Sequence, residues 1–308
     1  MGPVLLLDSR NPELRAALEA LLPEQELVEL TSDAAAAQRC RIWLGEPDRV
    51  VDLLRQGLRP QWLQSTWAGY APLLAADLPR DYRLSRAVGV FGQPIAEYLL
   101  AYMLEREQQL RRRRDSQVRQ EWDARIPGSL YGRQVLIVGA GEIGREVARL
   151  LAPFGMRLSG IAHTPRPLEH FERVVGLDSL HEAAATADYI VNILPDTPQT
   201  DGIYDAAFFA ALQPTAMFFN VGRGNALVDD ALLRALREGR LASAVLDVFR
   251  EEPLPAGHPF WSAPGLVVTG HIAGPLVPAA LARLFVDNLE RFRAGAALRG
   301  EVDFTSRY

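Results

Sequence analysis

A glycine-rich segment at residues 139–144 has a spacing that suits nucleotide binding. It follows the apolar run Val135–Val138 and contains, in order, Gly139, Gly141, Glu142, Ile143 and Gly144. In a G-x-G-x-x-G turn the first glycine permits a tight bend, the second lets a pyrophosphate approach the backbone, and the third lets helix and strand pack closely. The amides of the two residues between the last glycines would point at phosphates from a helix N-terminus. The segment predicts a dinucleotide-binding turn, and a glycine turn without a ligand is the alternative.

The residues after the next predicted strand, Leu158–Ala162, indicate which dinucleotide binds. An NAD site usually presents an acid to the ribose about 20 residues after the glycine turn. Here the strand is followed by His163, Thr164 and Arg166, and the first acid is Glu169. An arginine can form charge-assisted hydrogen bonds with a 2'-phosphate. These residues favour NADP over NAD, with a plain surface arginine at this position as the alternative.

Length, composition and net charge indicate the class of protein and its partners. With 308 residues, 48% hydrophobic and 23% charged, the sequence predicts an ordinary globular protein of two domains. The net charge of -5 does not favour nucleic acid as a partner. The basic run Arg111–Arg114 is followed by Asp115 and Glu121, and we interpret it as a solvated helix face.

Cysteine content and the N-terminal residues indicate the cellular compartment of the protein. Cys40 is the only cysteine, so an intrachain disulfide is excluded and a reducing compartment is expected. Met1–Leu7 is too short and too soon interrupted by Asp8 for a signal peptide, and no apolar run reaches membrane-span length. We therefore expect a cytoplasmic protein without membrane contact. His163, His170, His181 and His258 show no ligand spacing, so no metal site is predicted.

Two series of alternating strands and helices predict an α/β fold. The first series comprises Val4–Leu7, Pro12–Leu22, Leu27–Leu30, Arg41–Leu44 and Asp48–Gln56. A helix is predicted over 93–119, with Pro94 at its start, and joins the two series. The second series has six predicted strands: Val135–Val138, Leu158–Ala162, Tyr189–Leu194, Ala216–Val221, Ser243–Val248 and Leu266–Thr269. Its predicted helices are Ile143–Leu151 and Asp230–Glu238, and a last helix covers Pro275–Arg293.

Four further segments have a recognisable order after the glycine turn. They are Asn192–Thr200 (NILPDTPQT), Asn220–Gly224 (NVGRG), Leu246–Leu254 (LDVFREEPL) and Thr269–Ala273 (TGHIA). Through them the chain resembles the D-isomer-specific 2-hydroxyacid dehydrogenases over essentially its whole length, and within them the glyoxylate/hydroxypyruvate reductase branch. The resemblance implies two doubly wound parallel-sheet domains, the second a Rossmann dinucleotide-binding domain inserted in the first. Residues 1–92 with 275–308 would bind substrate, and residues 93–274 would bind the dinucleotide.

The resemblance also implies the catalytic residues of a reaction in which hydride passes between nicotinamide and C2 of a 2-keto or 2-hydroxy acid. His271 matches the family's proton donor, a role that suits histidine near neutral pH. Glu252 matches the acid that orients this histidine and favours its charged form, with the adjacent Glu251 as the alternative assignment. Arg223 matches the arginine that grips the 2-keto-carboxylate, for which a planar guanidinium is suited.

Other family positions imply contacts with cofactor and substrate. Asp247 stands where a carboxylate lies beside the nicotinamide carboxamide. The remaining cofactor positions implied by the matched segments are Leu194, Pro195, Thr200, Val221, Gly222 and Arg223. The loop at Ala68, Gly69 and Tyr70 stands where the family binds the substrate carboxylate with backbone amides, together with Arg223 and His271. For Trp43 and Trp67, a pocket wall and simple packing both remain open.

This sequence departs from the family pattern at two of these sites. Gly270 stands where a proline usually precedes the histidine, which removes a rigid positioner of His271. Tyr70 is bulkier than the aliphatic residue that is commoner there, and would influence substrate choice.

The resemblance implies a homodimer that reduces a short 2-keto acid, glyoxylate or hydroxypyruvate for example. Two alternatives remain, a non-catalytic NAD(P) sensor and a phosphite or formate dehydrogenase of the same fold.

Overall fold

The computed structural model describes residues 2–8, 11–29 and 34–304. The strand predicted over Leu27–Leu30 therefore ends outside the described residues. The chain divides into two compact units, Met1–Phe91 with Leu276–Tyr308 and Gly92–Pro275. We call them unit 1 and unit 2.

Strands and helices alternate along both units. The strands are β1 Val4–Leu7, β2 Leu27–Glu29, β3 Ile42–Gly45, β4 Trp62–Ser65, β5 Arg83–Ser85, β6 Gln134–Val138, β7 Arg157–Ile161, β8 Arg173–Val175, β9 Tyr189–Asn192, β10 Met217–Asn220, β11 Ser243–Leu246, β12 Leu266–Val268 and β13 Glu301–Val302. The helices are α1 Asn11–Leu21, α2 Ala34–Arg39, α3 Pro47–Arg55, α4 Gly92–Glu107, α5 Leu110–Val118, α6 Glu142–Leu151, α7 Leu180–Ala184, α8 Ala206–Ala211, α9 Asp229–Arg237 and α10 Pro278–Arg293. This pattern confirms the α/β fold class.

Unit 1 is built on a sheet in the order β13-β5-β4-β3-β1-β2, parallel except for β13. Val4 and Leu6 of β1 belong to one core, and Leu5 and Leu7 belong to another on the opposite face. A strand covered on both faces needs a continuous apolar run, and β1 has one. Strands β4, β5 and β13 were not predicted, because each has only two to four residues and weak alternation.

Helix α10 returns the end of the chain to unit 1. It begins at Pro278, three residues later than predicted, with the proline in the first turn where a missing N–H costs nothing. Its Leu281, Phe285 and Leu289 share a core with Leu14 and Leu18 of α1. The packing of this apolar face decides the destination that the sequence pattern left open.

A buried polar network crosses the middle of unit 1. Trp62 Nε1 donates to Ser85 Oγ at 2.9 Å, and Ser85 Oγ donates to Gln64 Oε1 at 2.7 Å. Asn288 Nδ2 donates to the same Gln64 oxygen at 2.8 Å, and Asn288 Oδ1 accepts from the Arg299 amide at 2.7 Å. The network ties α10 to the end of β4, directly before the loop that holds residues 66–70.

Unit 2 contains a parallel sheet in the order β12-β11-β10-β9-β6-β7-β8. The sequence predicted six of these seven strands and missed β8. Strand β8 has three residues, begins with Arg173 and is only partly buried, so it has neither the length nor the apolar run that predicts a strand. The order reverses between β6 and β9, as in doubly wound sheets.

The single helix predicted over 93–119 is wrong. Helix α4 ends at Glu107 and α5 begins at Leu110, because Gln109 adopts a left-handed conformation with φ of 51°. Buried Glu107 accepts hydrogen bonds from Arg133 at 2.9 Å and from the Tyr189 hydroxyl. These contacts hold the end of α4 against the sheet. The chain then turns at Gln109, and α5 starts as a separate helix. Among the described residues no helix has the length and apolar character needed to span a bilayer.

We predict that Asn288→Leu destabilises the protein, since it takes one hydrogen-bond partner from the buried Gln64 oxygen and one from the Arg299 amide. An unsatisfied buried group costs about 1–3 kcal/mol, and each kcal/mol lowers Tm by about 2–4 °C in a chain of this size. Thermal unfolding followed by circular dichroism measures the effect. Glu290→Gln on the exposed face of α10 is the control. An Asn288→Leu protein with the wild-type Tm would contradict this role for the network.

Candidate active site

The predicted site residues of unit 2 follow the carboxyl ends of its parallel strands. Carboxyl ends of parallel strands lie at one edge of a sheet, where doubly wound folds bind their ligands. The segments that follow β6, β7, β9, β10, β11 and β12 begin at Gly139, Ala162, Ile193, Val221, Asp247 and Thr269. The sheet therefore places all of them along one edge.

The three glycines of the 139–144 turn meet different surroundings. Gly139 has φ of 112°, and a Cβ there would lie 3.0 Å from the Ile193 backbone. A Cβ on Gly144 would lie 2.2 Å from the Gly139 carbonyl oxygen, so helix α6 can approach β6 only with glycine at this position. A Cβ on Gly141 would meet nothing within 4 Å. The open space lies at the N-terminus of α6, where Glu142 and Ile143 begin the helix and a phosphate can be bound.

The segment after β7 lies at the surface. His163, Thr164 and Arg166 are exposed beyond the end of the strand. Because no carboxylate is present before Glu169, a negatively charged 2'-phosphate would meet no like charge on this segment. The geometry is compatible with the NADP preference predicted from the sequence.

The loop after β9 is held by its own hydrogen bonds. The Leu194 amide donates to Asn192 Oδ1 at 3.1 Å, and Thr200 Oγ1 donates to the Pro195 carbonyl at 2.8 Å. Thr200 is buried, and its hydroxyl also accepts from the Thr197 amide at 2.9 Å. Thr200 therefore shapes the loop that carries Leu194 and Pro195, and its hydroxyl is engaged within that loop.

His271 and Glu252 form a close pair. His271 Nδ1 lies 2.7 Å from Glu252 Oε2, and Glu252 Oε1 accepts from the Phe249 amide at 2.8 Å. Because a carboxylate only accepts, the proton of this contact belongs to Nδ1, which leaves Nε2 for exchange with another molecule. About half of the His271 side chain and a third of the Glu252 side chain are exposed. The geometry favours Glu252 over its neighbour Glu251 as the partner of the histidine.

Arg223 is positioned from the end of β10. Asn192 and Asn220 are register partners on adjacent strands, both fully buried, with Asn192 Nδ2 donating to Asn220 Oδ1 at 2.8 Å. Asn220 Nδ2 then donates to the Arg223 carbonyl at 3.1 Å, and the Gly222 amide donates to Asn220 Oδ1 at 3.2 Å. Arg223 Nη1 donates to the Gly222 carbonyl at 2.7 Å, which orients the half-buried guanidinium. Buried Tyr204 completes the chain by donating to Asn192 Oδ1 at 2.9 Å.

The segment of Arg223 packs on the segment of Glu252. A Cβ on Gly224 would lie 1.9 Å from the Phe249 carbonyl carbon, so only glycine allows this approach. Arg250 donates to the carbonyls of Leu227 and Asn225 and forms an ion pair with Asp201. These contacts fix the two segments against each other within unit 2.

Asp247 holds the turn that carries His271. Its carboxylate accepts from Thr269 Oγ1 at 2.6 Å and from the amides of Ile272 and Ala273 at 2.8 Å each. Its carbonyl accepts from the His271 amide at 2.8 Å. A carboxylate has about four acceptor positions, so one remains for the carboxamide contact predicted from the sequence. The turn is therefore anchored without the proline that Gly270 replaces.

The predicted substrate loop belongs to unit 1. Ser65 Oγ accepts from the Trp67 amide at 3.0 Å, and the Trp67 carbonyl accepts from the Ala87 amide at 3.0 Å. Ala68, Gly69 and Tyr70 are partly exposed, as a binding loop requires. Trp43 is fully buried in the core of unit 1 with Nε1 bonded to the Cys40 carbonyl, so it packs and lines no pocket.

Sequence reasoning gave no role to several residues that support this site. They are Tyr98, Asn192, Tyr204, Asn220 and Thr269. A signal was present for two of them, because an asparagine ends both YIVN and MFFN, and a polar residue at the end of a buried strand needs a partner. Within the described part of the chain, no cluster of three or more His, Cys, Asp or Glu residues could hold a metal ion.

Comparisons with known proteins identify the family of the chain. The sequence profile of the D-isomer specific 2-hydroxyacid dehydrogenase NAD binding domain matches residues 100–273, more than half of the chain. Glyoxylate/hydroxypyruvate reductase A of Serratia proteamaculans is 35% identical over 217 residues, which cover 70% of this chain and 69% of the relative.

Solved structures resemble the whole chain. A D-isomer specific 2-hydroxyacid dehydrogenase family protein of Aeromonas salmonicida is 37% identical with a TM-score of 0.91, covering 98% of this chain and 99% of that one. The NADPH-dependent glyoxylate/hydroxypyruvate reductase of Sinorhizobium meliloti, solved with NADP and sulfate, is 28% identical with a TM-score of 0.84 and full coverage of both chains. The chain therefore belongs to the D-isomer-specific 2-hydroxyacid dehydrogenase family.

Proposed function

We propose that this enzyme uses NADPH to reduce a short 2-keto acid, of the glyoxylate or hydroxypyruvate kind, to the D-2-hydroxy acid. The observation that carries the proposal is the 2.7 Å pair of His271 and Glu252, on the sheet edge that also carries Arg223 and the glycine turn. A nucleotide sensor needs the turn but not a proton donor and an anion-binding arginine. The similarity to two glyoxylate/hydroxypyruvate reductases supports the same substrate class.

His271 supplies the proton of the reduction. Glu252 accepts the Nδ1 proton, so the proton that passes to the substrate is carried on Nε2. As hydride adds to C2, the carbonyl oxygen gains negative charge and takes this proton. The bond from Glu252 to the Phe249 amide holds the carboxylate in the orientation that this role needs.

Arg223 and the 68–70 loop bind the substrate carboxylate in this proposal. A guanidinium presents parallel N–H donors that match two carboxylate oxygens and fix the position of C2. The segment Asn220–Arg223 is anchored by the buried asparagine pair, which limits the freedom of the arginine backbone. The amides of Ala68, Gly69 and Tyr70 are the second set of donors, and the Tyr70 side chain packs against the core of unit 1.

The residues proposed to bind the cofactor lie along the same sheet edge. The open space beside Gly141 at the N-terminus of α6 fits a pyrophosphate, and His163, Thr164 and Arg166 fit a 2'-phosphate. Val221 and Gly222, with Leu194 and Pro195, would hold the nicotinamide half together with the free acceptor position of Asp247. Bound NADPH supplies the hydride of the reaction. We favour NADP over NAD because Arg166 follows β7 and no acid occurs before Glu169.

We also propose a homodimer formed through the end of α5 and the segment that follows it. Val118, Trp122 and Ile126 are 83%, 94% and 89% exposed. Large apolar side chains exposed together on one segment are typical of an interaction surface. A second copy of the chain is the partner that the family resemblance implies. A cytoplasmic location stays a prediction from the sequence.

We predict that the purified protein oxidises NADPH with glyoxylate or hydroxypyruvate, and that His271→Asn lowers kcat by about 10²–10⁴-fold, the usual contribution of a general acid. Asparagine tolerates the positive φ of His271, so the change tests the imidazole. His170→Asn is the matched control, because His170 also has a positive φ and should keep wild-type kcat. Failure of every short 2-keto acid, or turnover only with phosphite or formate, would overturn the assignment.

Arg166→Ala should raise KM for NADPH about tenfold or more, the factor expected when a charge-assisted hydrogen bond worth at least about 1.4 kcal/mol is lost. KM for NADH should stay within about twofold, since NADH has no 2'-phosphate. The control is Arg240→Ala, which removes an exposed arginine that pairs with Glu238. Equal effects on both cofactors, or a wild-type enzyme that prefers NADH, would contradict the NADP assignment.

Trp122→Ser should convert the dimer to a monomer, because it removes the most exposed apolar side chain of the proposed interface. Size-exclusion chromatography with light scattering measures the mass directly. Trp261→Ser is the control, since Trp261 is also exposed, at 55%, and lies elsewhere on unit 2. A monomeric wild-type protein, or a Trp122→Ser protein that stays dimeric, would refute this surface.

A further inference from the structure

The turn at residues 269–273 holds His271 in an uncommon backbone conformation. His271 has φ of 56°, in the left-handed region that residues other than glycine rarely adopt. Such a conformation persists only where the surroundings determine it. Gly270 gives no rigidity, and a Cβ placed on it would meet nothing within 4 Å. The constraint on His271 therefore comes from the hydrogen bonds that hold the turn in place.

The carboxylate of Asp247 supplies that constraint from beneath the turn. It is buried, with 1% exposure, and accepts the Ile272 and Ala273 amides directly after His271. On the other side of His271 it accepts the Thr269 hydroxyl. One carboxylate thus binds the residues before and after the histidine, and the carbonyl of the same residue binds the histidine amide.

The direction of each hydrogen bond follows from the number of protons. Thr269 has one hydroxyl hydrogen, which it donates to Asp247 Oδ1 at 2.6 Å. The Tyr98 hydroxyl, 2.7 Å from Thr269 Oγ1, must then be the donor of the second contact. Burial raises the pKa of the Tyr98 phenol well above its usual range, so its proton is present at every working pH. The chain of donors runs from Tyr98 to Thr269 to Asp247.

We propose that Thr269 and Tyr98 are positioning residues for His271, acting through Asp247. These hydrogen bonds supply the rigidity that a proline at 270 would give. They also hold the imidazole of His271 where Glu252 can accept from Nδ1. Tyr98 lies on α4, and so this contact extends the anchoring of the turn to a helix far away in the sequence. The inference rests on the proposed role of His271 as proton donor.

Thr269→Val tests the inference, because valine keeps the shape of threonine and removes the hydroxyl. We expect kcat for 2-keto acid reduction to fall about tenfold or more, in line with the loss of a hydrogen bond to a charged group. KM for NADPH should stay within about twofold, since Thr269 is placed to act on the turn and not on the cofactor. Thr269→Ser retains the hydroxyl and should restore most of kcat. Tyr98→Phe should lower kcat less than Thr269→Val, because Thr269 still donates to Asp247.

Hydrogen exchange followed by mass spectrometry gives a second measurement that needs no turnover. Exchange of the amides in the peptide that spans 270–275 should be about tenfold faster in Thr269→Val than in wild type and Thr269→Ser, because local opening becomes easier. Thr215→Val and Tyr131→Phe, at exposed positions of unit 2, are controls for the two kinds of substitution.

Wild-type kcat and exchange in Thr269→Val would overturn the proposal, and so would an equal loss of kcat in Thr269→Ser. If the wild-type enzyme reduces no 2-keto acid, the proposed function fails, and the exchange measurement alone decides whether Thr269 anchors the turn.

Discussion

The buried carboxylate of Asp247 is the constraint on which the arrangement of the active site depends. An ionised carboxylate without partners would be costly to bury, and its three donors offset that cost. The same bonds hold His271 at a positive φ and leave its imidazole near Glu252. A single residue directly after β11 thus links the fold of unit 2 to the position of His271.

Buried polar side chains also stand at the ends of the neighbouring strands of unit 2. Asn192 and Asn220 end β9 and β10, and each uses its side chain to bind the segment that follows its own strand. Asp247 directly follows β11, and its side chain binds the segment that follows β12. The Asp247 amide donates to the Asn220 carbonyl at 3.0 Å, and Asn192 donates to Asn220, so the three are also bonded to one another. A buried polar row of this kind makes the sheet edge rigid, because every member has its partners. Loops that follow such a row can hold reacting groups with little motion.

Unit 1 is held together mainly by apolar packing, with one enclosed polar network. Two apolar cores cover its sheet, and the polar network of Trp62, Gln64, Ser85 and Asn288 is enclosed between α10 and the strands. The network ends where β4 leads into the 66–70 loop, whose Ser65 turn and Trp67 contact define its start. The predicted carboxylate-binding amides therefore follow a firmly bonded strand end, although the loop itself is partly exposed.

The sequence by itself determined the α/β class, the glycine turn, the order of the longer strands and the family. These features depend on local patterns, namely apolar runs, glycine spacing and short motifs, which remain readable in one dimension. Only the tertiary structure decided that the 93–119 segment breaks at Gln109, that β8 and β13 join the sheets, and that α10 packs on α1. It also decided that Thr269 and Tyr98 are bonded in series to Asp247, and that the buried Asn220 binds the Arg223 carbonyl. Those roles arise from hydrogen bonds between residues far apart in the chain, such as Tyr98 and Thr269, and no local spacing encodes them.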